Sequence, residues 1–191
     1  MRIALYGGSF DPVHLGHLLV AQAAHEELGL DKVTFVPAAQ SPFKPDRKLS
    51  PDSIRVQMLR LALVGRTYCE LDCLELERGG VSYTIDTIRV YKERYPGAEM
   101  FYLIGGDHTG QLPKWREAGE LGQLVEFVVI PRPGQPEQAL PEGFRGRHLS
   151  GFPLGVSSSQ IRQRVRDGQA VDLLTGRAVA EAIAYNGLYL S

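Results

Sequence analysis

The chain is short of net charge, of cysteine, of tryptophan and of long apolar runs, and each shortage excludes something. A formal net charge of −1 gives no global pull toward nucleic acid or an acidic membrane, so neither partner is expected. An anionic small molecule would have to be met by local positive charge. No apolar stretch is long enough to span a bilayer, and Ile3-Ala4-Leu5 is too short for the apolar region of a secretory leader. Cys69 and Cys73 are the two cysteines. They fall in a stretch that reads as a strand, on one face and too far apart to bridge easily. Two small buried thiols follow, which demand no oxidising compartment; a cytoplasmic location is the expectation. Repeats and low-complexity tracts are missing as well.

What is present is an ordinary globular composition. With 191 residues, 43% hydrophobic and 23% charged, the chain suits one domain over 1–191 that can bury a sizeable core. Residues 153–191 read as a C-terminal helical portion of that same domain.

The richest stretch is the first, MRIALYGGSFDPVHLGH. Ile3 to Tyr6 is an apolar run that suits a buried strand. Gly7-Gly8 punctuates it, and Asp11-Pro12 marks a turn. From Leu15 to Leu28 the pattern is helical, with Leu15, Leu19 and Ala23 in one apolar row, Val20, Ala24 and Leu28 in the next, and His25 solvated beside them. Gly29 closes the helix. A glycine turn feeding a helix N-terminus is an arrangement that receives phosphate, because the backbone N–H groups and the helix dipole both favour negative charge there. His14 and His17, three apart, are expected on one helical face and aimed at the same oxygens. The stretch is neither a Walker A sequence nor a G-x-G-x-x-G fingerprint. His-x-x-His is also half of a zinc site, yet no companion ligands stand at metal spacing, so no protein-held metal is expected.

Lys32 to Val36 is a second strand, and strand–helix–strand over this length is a right-handed βαβ unit. The fold class is therefore α/β with a Rossmann-like, doubly wound parallel sheet, whose ligand belongs at the carboxyl ends of the strands. The loop from Pro37 to Leu49 leaves that edge and carries Lys44, Arg47 and Lys48. Ser50 and Pro51 open the next helix as N-cap and first residue. Glu70 to Glu77 reads as a strand with its turn at Arg78-Gly79-Gly80. Ser82-Tyr83-Thr84 precede a helix and fit two roles, helix cap or contact for an anion. Met100 to Ile104 is a strongly apolar strand ending at Gly105-Gly106-Asp107, where a carboxylate is placed to accept ribose hydroxyls. Trp115, after Leu112-Pro113-Lys114, fits core packing or stacking on a flat ring. Val125 to Ile130 is another buried strand, and Arg132 just beyond it is placed for a phosphate. Gln135 to Arg147 reads as a surface loop. Ser157 caps a helix that carries Ile161, Arg162 and Val165, a second anion site. Gly176 to Tyr185 is the last helix, and Leu188-Tyr189-Leu190 docks on the body.

GGSFDPVHLGH resembles the [GT]-x-F-D-P-x-H-x-G-H signature of the nucleotidylyltransferase superfamily, and V-S-S-S-x-I-R resembles its I-S-S-T-x-I-R motif, with Ser159 in place of threonine. The likeness runs over nearly the whole chain. S-Y-T-x-D-T at Ser82–Thr87 and L-P-x-W at Leu112–Trp115 are similar to the nicotinate-nucleotide adenylyltransferase branch. So is Ser41-Pro42-Phe43-Lys44, although Phe43 stands where that branch has histidine. The resemblance implies an HxGH-type fold and transfer of AMP from ATP to nicotinate mononucleotide, giving deamido-NAD and pyrophosphate, with magnesium accompanying ATP. It implies His14, His17, Lys44 and Arg162 at the reacting phosphates. Gly7, Gly8, Ser9, Phe10, Gly105, Asp107, Ser157 and Ser158 would meet ATP. Ser82, Tyr83, Thr84 and Trp115 would meet the pyridine, and Arg132 the mononucleotide phosphate. A homo-oligomer is compatible with it. Nicotinamide mononucleotide as acceptor or dual specificity, phosphopantetheine as acceptor, a non-catalytic nucleotide sensor and a zinc module are the alternatives.

Overall fold

The computed structural model describes residues 1–42, 48–131, 134, 136–152 and 154–190. Among them six strands form one parallel sheet: β1 (Arg2–Gly8), β2 (Lys32–Pro37), β3 (Cys69–Leu71), β4 (Glu99–Gly105), β5 (Glu126–Ile130) and β6 (Gly146–His148), in the order β3-β2-β1-β4-β5-β6. The chain winds outward from β1 to β3, then crosses back to β4 on the other side of β1. The gap between the carboxyl ends of β1 and β4 is thus the point where strand order reverses, the place where ligands enter open α/β sheets.

Alternation along the central strands sorts side chains onto two faces. Ala4 and Tyr6 join a core with Leu18, Ala24, Phe35, Met58 and Val179. Ile3 and Leu5 join the opposite core with Ile85, Ile88, Leu121 and Phe127. The first core lies under α1 (Leu15–Leu28), α2 (Asp52–Leu63), α6 (Ser158–Arg166), α7 (Asp172–Thr175) and α8 (Arg177–Tyr185). The second lies under α4 (Thr84–Arg94) and α5 (Ala118–Leu124), with α3 (Leu74–Arg78) and a 3-10 helix (Gly106–Lys114) at its rim. Each fully buried Leu, Ile or Phe contributes roughly 1.5–3 kcal/mol, so Phe127→Ala or Ile88→Ala would be among the costliest single changes.

Several expectations are corrected. The buried face of α1 is Leu18, Ala21, Ala23, Ala24 and Leu28, while Leu15 is exposed; the alanines let the helix lie close to the sheet, which turns its first leucine to the rim. His25 is half-buried, its ring stacked on Tyr68 at 4.3 Å. The strand expected over Glu70–Glu77 is three residues of β3, followed by α3. The Asp72 side chain accepts the Leu74 N–H at 2.9 Å, and such a local bond replaces the ladder and starts a helix. Cys69 is therefore in a strand and Cys73 at a helix cap, both free. Burial pushes the Cys69 thiol up to about 11, away from thiolate chemistry. Helix α2 begins at Asp52 with Pro51 as its cap, one residue later than expected. The segment read as a surface loop contributes Gly146 and Arg147 to β6, and a side chain at Gly146 would run into the Phe127 carbonyl across the ladder. No helix among the described residues is long and apolar enough to cross a membrane.

Candidate functional site

The site begins where β1 stops. Gly7 has no side chain because the Tyr102 hydroxyl occupies the space one would need. Phe10 follows with φ +47°, a left-handed conformation rare for a bulky residue. Its ring is buried at 2% exposure, edge-on to Tyr6 at 5.6 Å and to His17 at 5.0 Å. That packing holds the strained residue and makes the ring a floor beneath the second histidine.

His14 is not on a helical face. It is the N-cap of α1, extended at φ −149°, and His17 is the third helical residue. The two still meet, because the His14 backbone N–H donates to His17 Nδ1 at 3.1 Å and the rings stack with centroids 3.7 Å apart. This is the return arm of a capping box, with histidine in the place usually taken by Glu or Gln. It also sets the tautomer. A backbone N–H can only donate, so Nδ1 must be the bare nitrogen and neutral His17 carries its proton on Nε2. Gly16 lies between: a Cβ there would sit 2.9 Å from Val156 Cγ1 and 3.1 Å from His14 Cε1 and Nδ1.

The second anion motif is brought to the first by α6. Ser157 caps that helix, its Oγ accepting the Gln160 N–H at 3.2 Å while Gln160 Oε1 accepts the Ser157 N–H at 2.9 Å. Ser158 Oγ donates to the Pro12 carbonyl at 2.9 Å. The N-termini of α1 and α6 therefore open on the same space, each a partial positive charge.

That space is a cleft of about 360 Å³, within the range of small-molecule sites. Gly7, Gly8, Ser9, Phe10, His14, His17, Ser82, Thr84, Gly105, Trp115, Ser157 and Ser158 line it. Tyr83, Asp107 and Arg162 do not, among the described residues. Tyr83 caps α4 with its ring under the Arg116 guanidinium at 4.7 Å. Asp107 lies beside His108, 3.8 Å between Oδ2 and Nε2. Arg162 donates from Nη1 to the Asp11 carbonyl at 2.7 Å and from Nη2 to Ser159 Oγ at 3.0 Å, so it grips the turn that leads to His14. Lys44, Arg47 and Arg132 lie outside the described residues.

At the far end, toward β4, Ser82 is not a cap. Its Oγ accepts the Ala39 N–H at 3.0 Å, which ties the start of α4 to the exit of β2. Thr84 Oγ1 donates to the Tyr102 hydroxyl at 3.3 Å. Trp115 is edge-on to Tyr102 at 6.0 Å and to Phe127 at 6.2 Å, and also faces the cleft; packing and cleft wall are one position.

Sequence reasoning missed Glu75, Tyr102 and His108, all of which line the cleft. Glu75 is 4% exposed. Burial raises its pKa, opposed by hydroxyl donors: Thr87 Oγ1 at 2.6 Å and Ser82. Burial likewise pushes the Tyr102 phenol up, so it stays protonated. No signal marked Glu75, because Leu74-Glu75-Leu76-Glu77 alternates like a strand. No group of three or more His, Cys, Asp or Glu that could hold a metal ion is found among the described residues.

The chain matches the cytidylyltransferase-like family over residues 5–164. It is 42% identical over 191 residues to a protein of Opitutus terrae named "probable nicotinate-nucleotide adenylyltransferase", covering 99% of this chain and 98% of that one. A relative of the same name from Thermus thermophilus is 40% identical, with 99% and 100% covered. Among solved structures, Plasmodium falciparum nicotinic acid mononucleotide adenylyltransferase complexed with NaAD superimposes with a TM-score of 0.81 at 20% identity, covering 98% and 97% of the two chains; at that identity the likeness is one of fold. A reversed-order parallel sheet, a paired-histidine helix cap at its switch point and these relatives together make the chain a member of the cytidylyltransferase-like family, in the group that bears the nicotinate-nucleotide adenylyltransferase name.

Proposed function

We propose that the protein transfers the adenylyl group of ATP to nicotinate mononucleotide, releasing nicotinate adenine dinucleotide and pyrophosphate in NAD biosynthesis. A phosphate oxygen of the mononucleotide attacks the α-phosphorus. The new O–P bond forms as the bond to the bridging oxygen of the β-phosphate breaks, and the electron pair leaves with pyrophosphate. The substrate brings its own nucleophile, so the protein has positioning and charge stabilisation to do.

The observation that carries this reading is the convergence of the His14–His17 cap and the N-terminus of α6 on one cleft. His17 would donate from Nε2 to oxygens that gain charge in the transition state. Gly7, Gly8 and Ser9 let the triphosphate approach the backbone. Lys44, which follows β2 in sequence, and Arg162 are assigned to the leaving pyrophosphate, Arg162 partly through the turn it holds. Gly105 and Asp107 are assigned to the ribose, and Arg132, which follows β5 in sequence, to the mononucleotide phosphate. Trp115 would stack on the pyridine, with the start of α4 at Ser82–Thr84 reading its carboxylate. Magnesium would enter as part of the ATP substrate, held by phosphate oxygens and water. The free cysteines suit the reducing cytoplasm, where we place the enzyme.

One observation favours a second acceptor. Glu75 is a buried carboxyl group beside Ser82 and Thr84, and an ionised carboxylate there would favour the amide of nicotinamide mononucleotide over the acid. Pyrophosphate release with magnesium-ATP and each mononucleotide decides between them. A strong preference for the acid is expected. Equal rates would establish dual specificity, and silence with both would overturn the reading.

A further inference from the structure

We infer that Tyr189 is a positioning residue for adenylyl transfer: its hydroxyl holds the Asp11 turn where that turn presents His14 and its backbone to the phosphates. The inference rests on the function proposed above and adds a residue from the opposite end of the chain.

The geometry is specific. After α8 the chain buries Leu188 and turns at Tyr189, whose φ of +62° is left-handed. A non-glycine residue held there is a strained position that surrounding contacts must fix. The phenol donates to Asp11 Oδ1 at 2.6 Å. Asp11 is 2% exposed and sits between Phe10 and Pro12 in the turn. Its carbonyl is the acceptor for Arg162 Nη1 at 2.7 Å, and its Oδ2 lies 3.5 Å from the Ser50 N–H. Tyr189 also bonds the Ser50 side chain and lies within the field of Arg162. Through Asp11 the phenol is therefore linked to three segments. They are the turn after β1, Ser50 just ahead of α2, and the arginine of α6. Ser50 and Arg162 both meet Asp11, in the turn that leads to His14, and none of the three is at the Ser82–Trp115 end of the cleft.

That asymmetry makes the role testable. Burial and the Asp11 bond both push the phenol pKa up, so the hydroxyl remains a donor across the working pH range. Tyr189→Phe removes one oxygen and keeps the ring. The buried Asp11 carboxylate then loses a donor, and the turn relaxes at the ATP side.

The experiment is steady-state pyrophosphate release by wild type and Y189F, each substrate varied in turn, with thermal denaturation of the same samples. A fall in kcat/KM for ATP of about tenfold or more is expected, with KM for nicotinate mononucleotide within about twofold of wild type. An Asp11→Ala variant should lose as much, and the double variant should be no worse than the worse single one, because both changes break the same bond. All constants within about twofold of wild type would overturn the inference. So would an equal rise in both KM values with a fall in Tm, which is what simple tail docking predicts. If wild type turns over neither mononucleotide, the proposed function has failed, and calorimetric binding of a non-hydrolysable ATP analogue decides on Tyr189 alone. Weaker binding by Y189F supports the role, and equal affinity refutes it.

Discussion

Gly16→Ala should separate catalysis from stability. The new methyl would lie 2.9 Å from Val156 Cγ1 and 3.1 Å from two atoms of the His14 ring. Ordinary carbon contacts are about 3.5–4.0 Å, so each neighbour must retreat by about half an ångström or more. His14 has little room to do so, because its other face is stacked on His17 at 3.7 Å. The effect on folding is small by cancellation. Alanine gains up to about 1 kcal/mol over glycine in a helix, while overpacking costs roughly 1–3 kcal/mol, leaving a net loss of about 0–2 kcal/mol. The effect on rate is not cancelled. A misplacement approaching 1 Å near reacting groups costs about a hundredfold, or roughly 2.7 kcal/mol of barrier. Pyrophosphate release and thermal denaturation on the same preparation read the two quantities. Adding Val156→Ala opens the shortest contact and should recover part of the rate. Activity of G16A within about threefold of wild type would refute the claim that the gap at Gly16 sets the position of the histidine pair.

His17→Ala should keep the fold and lose about a hundredfold or more in kcat, on the order of 3 kcal/mol, as removal of a transition-state donor does; near-normal turnover would remove His17 from the reaction. Trp115→Ala should raise KM for the mononucleotide by about tenfold and spare KM for ATP, since ring stacking is worth about 1–3 kcal/mol, and Trp115→Phe should recover most of it. For Glu75 the sign follows from linkage. Burial raises its folded pKa above the unfolded value, so its contribution to stability is present below the ordinary carboxylate range and is lost as pH rises through the folded pKa. Denaturation from pH 4 upward should therefore show a decline that E75Q flattens; parallel profiles would show that Glu75 does not titrate in this way.

Legibility followed the physics of each segment. Strands β1, β2, β4 and β5 are apolar on both faces, and their runs, ended by glycine or proline, were readable within a residue or two. The Ser157 cap was readable because its bonds are local, three residues apart. Strand β6, Gly-Arg-His, has no apolar pattern at all; backbone pairing with β5 is what makes it a strand. Asp72 ended β3 early through its own side chain. In the site, the motif residues were visible, but their contacts within the fold were not. His14 pairs with His17 as a cap, Arg162 holds a carbonyl, and Ser82 braces a loop. The bonds that join Pro12 to Ser158, Asp11 to Arg162 and Asp11 to Tyr189 span 146, 151 and 178 residues, and no local pattern can announce them.

Those long-range bonds also account for how a chain of net charge −1 can hold a triphosphate. A basic patch would show in the composition; two helix N-termini do not. Helix α1 has 14 residues and α6 has 9, enough for each to present about half a unit of positive charge at its start. The Ser158–Pro12 bond points both at one cleft, so, besides the lysine and arginines assigned to it, the proposed anion site draws positive charge from docking two segments. Such charge has no conformational freedom to lose when the phosphates arrive, which is the condition for stabilising a transition state rather than merely binding a substrate. The turn between β1 and α1 must then be fixed from outside. Arg162 and Tyr189, both meeting Asp11, are the groups that fix it.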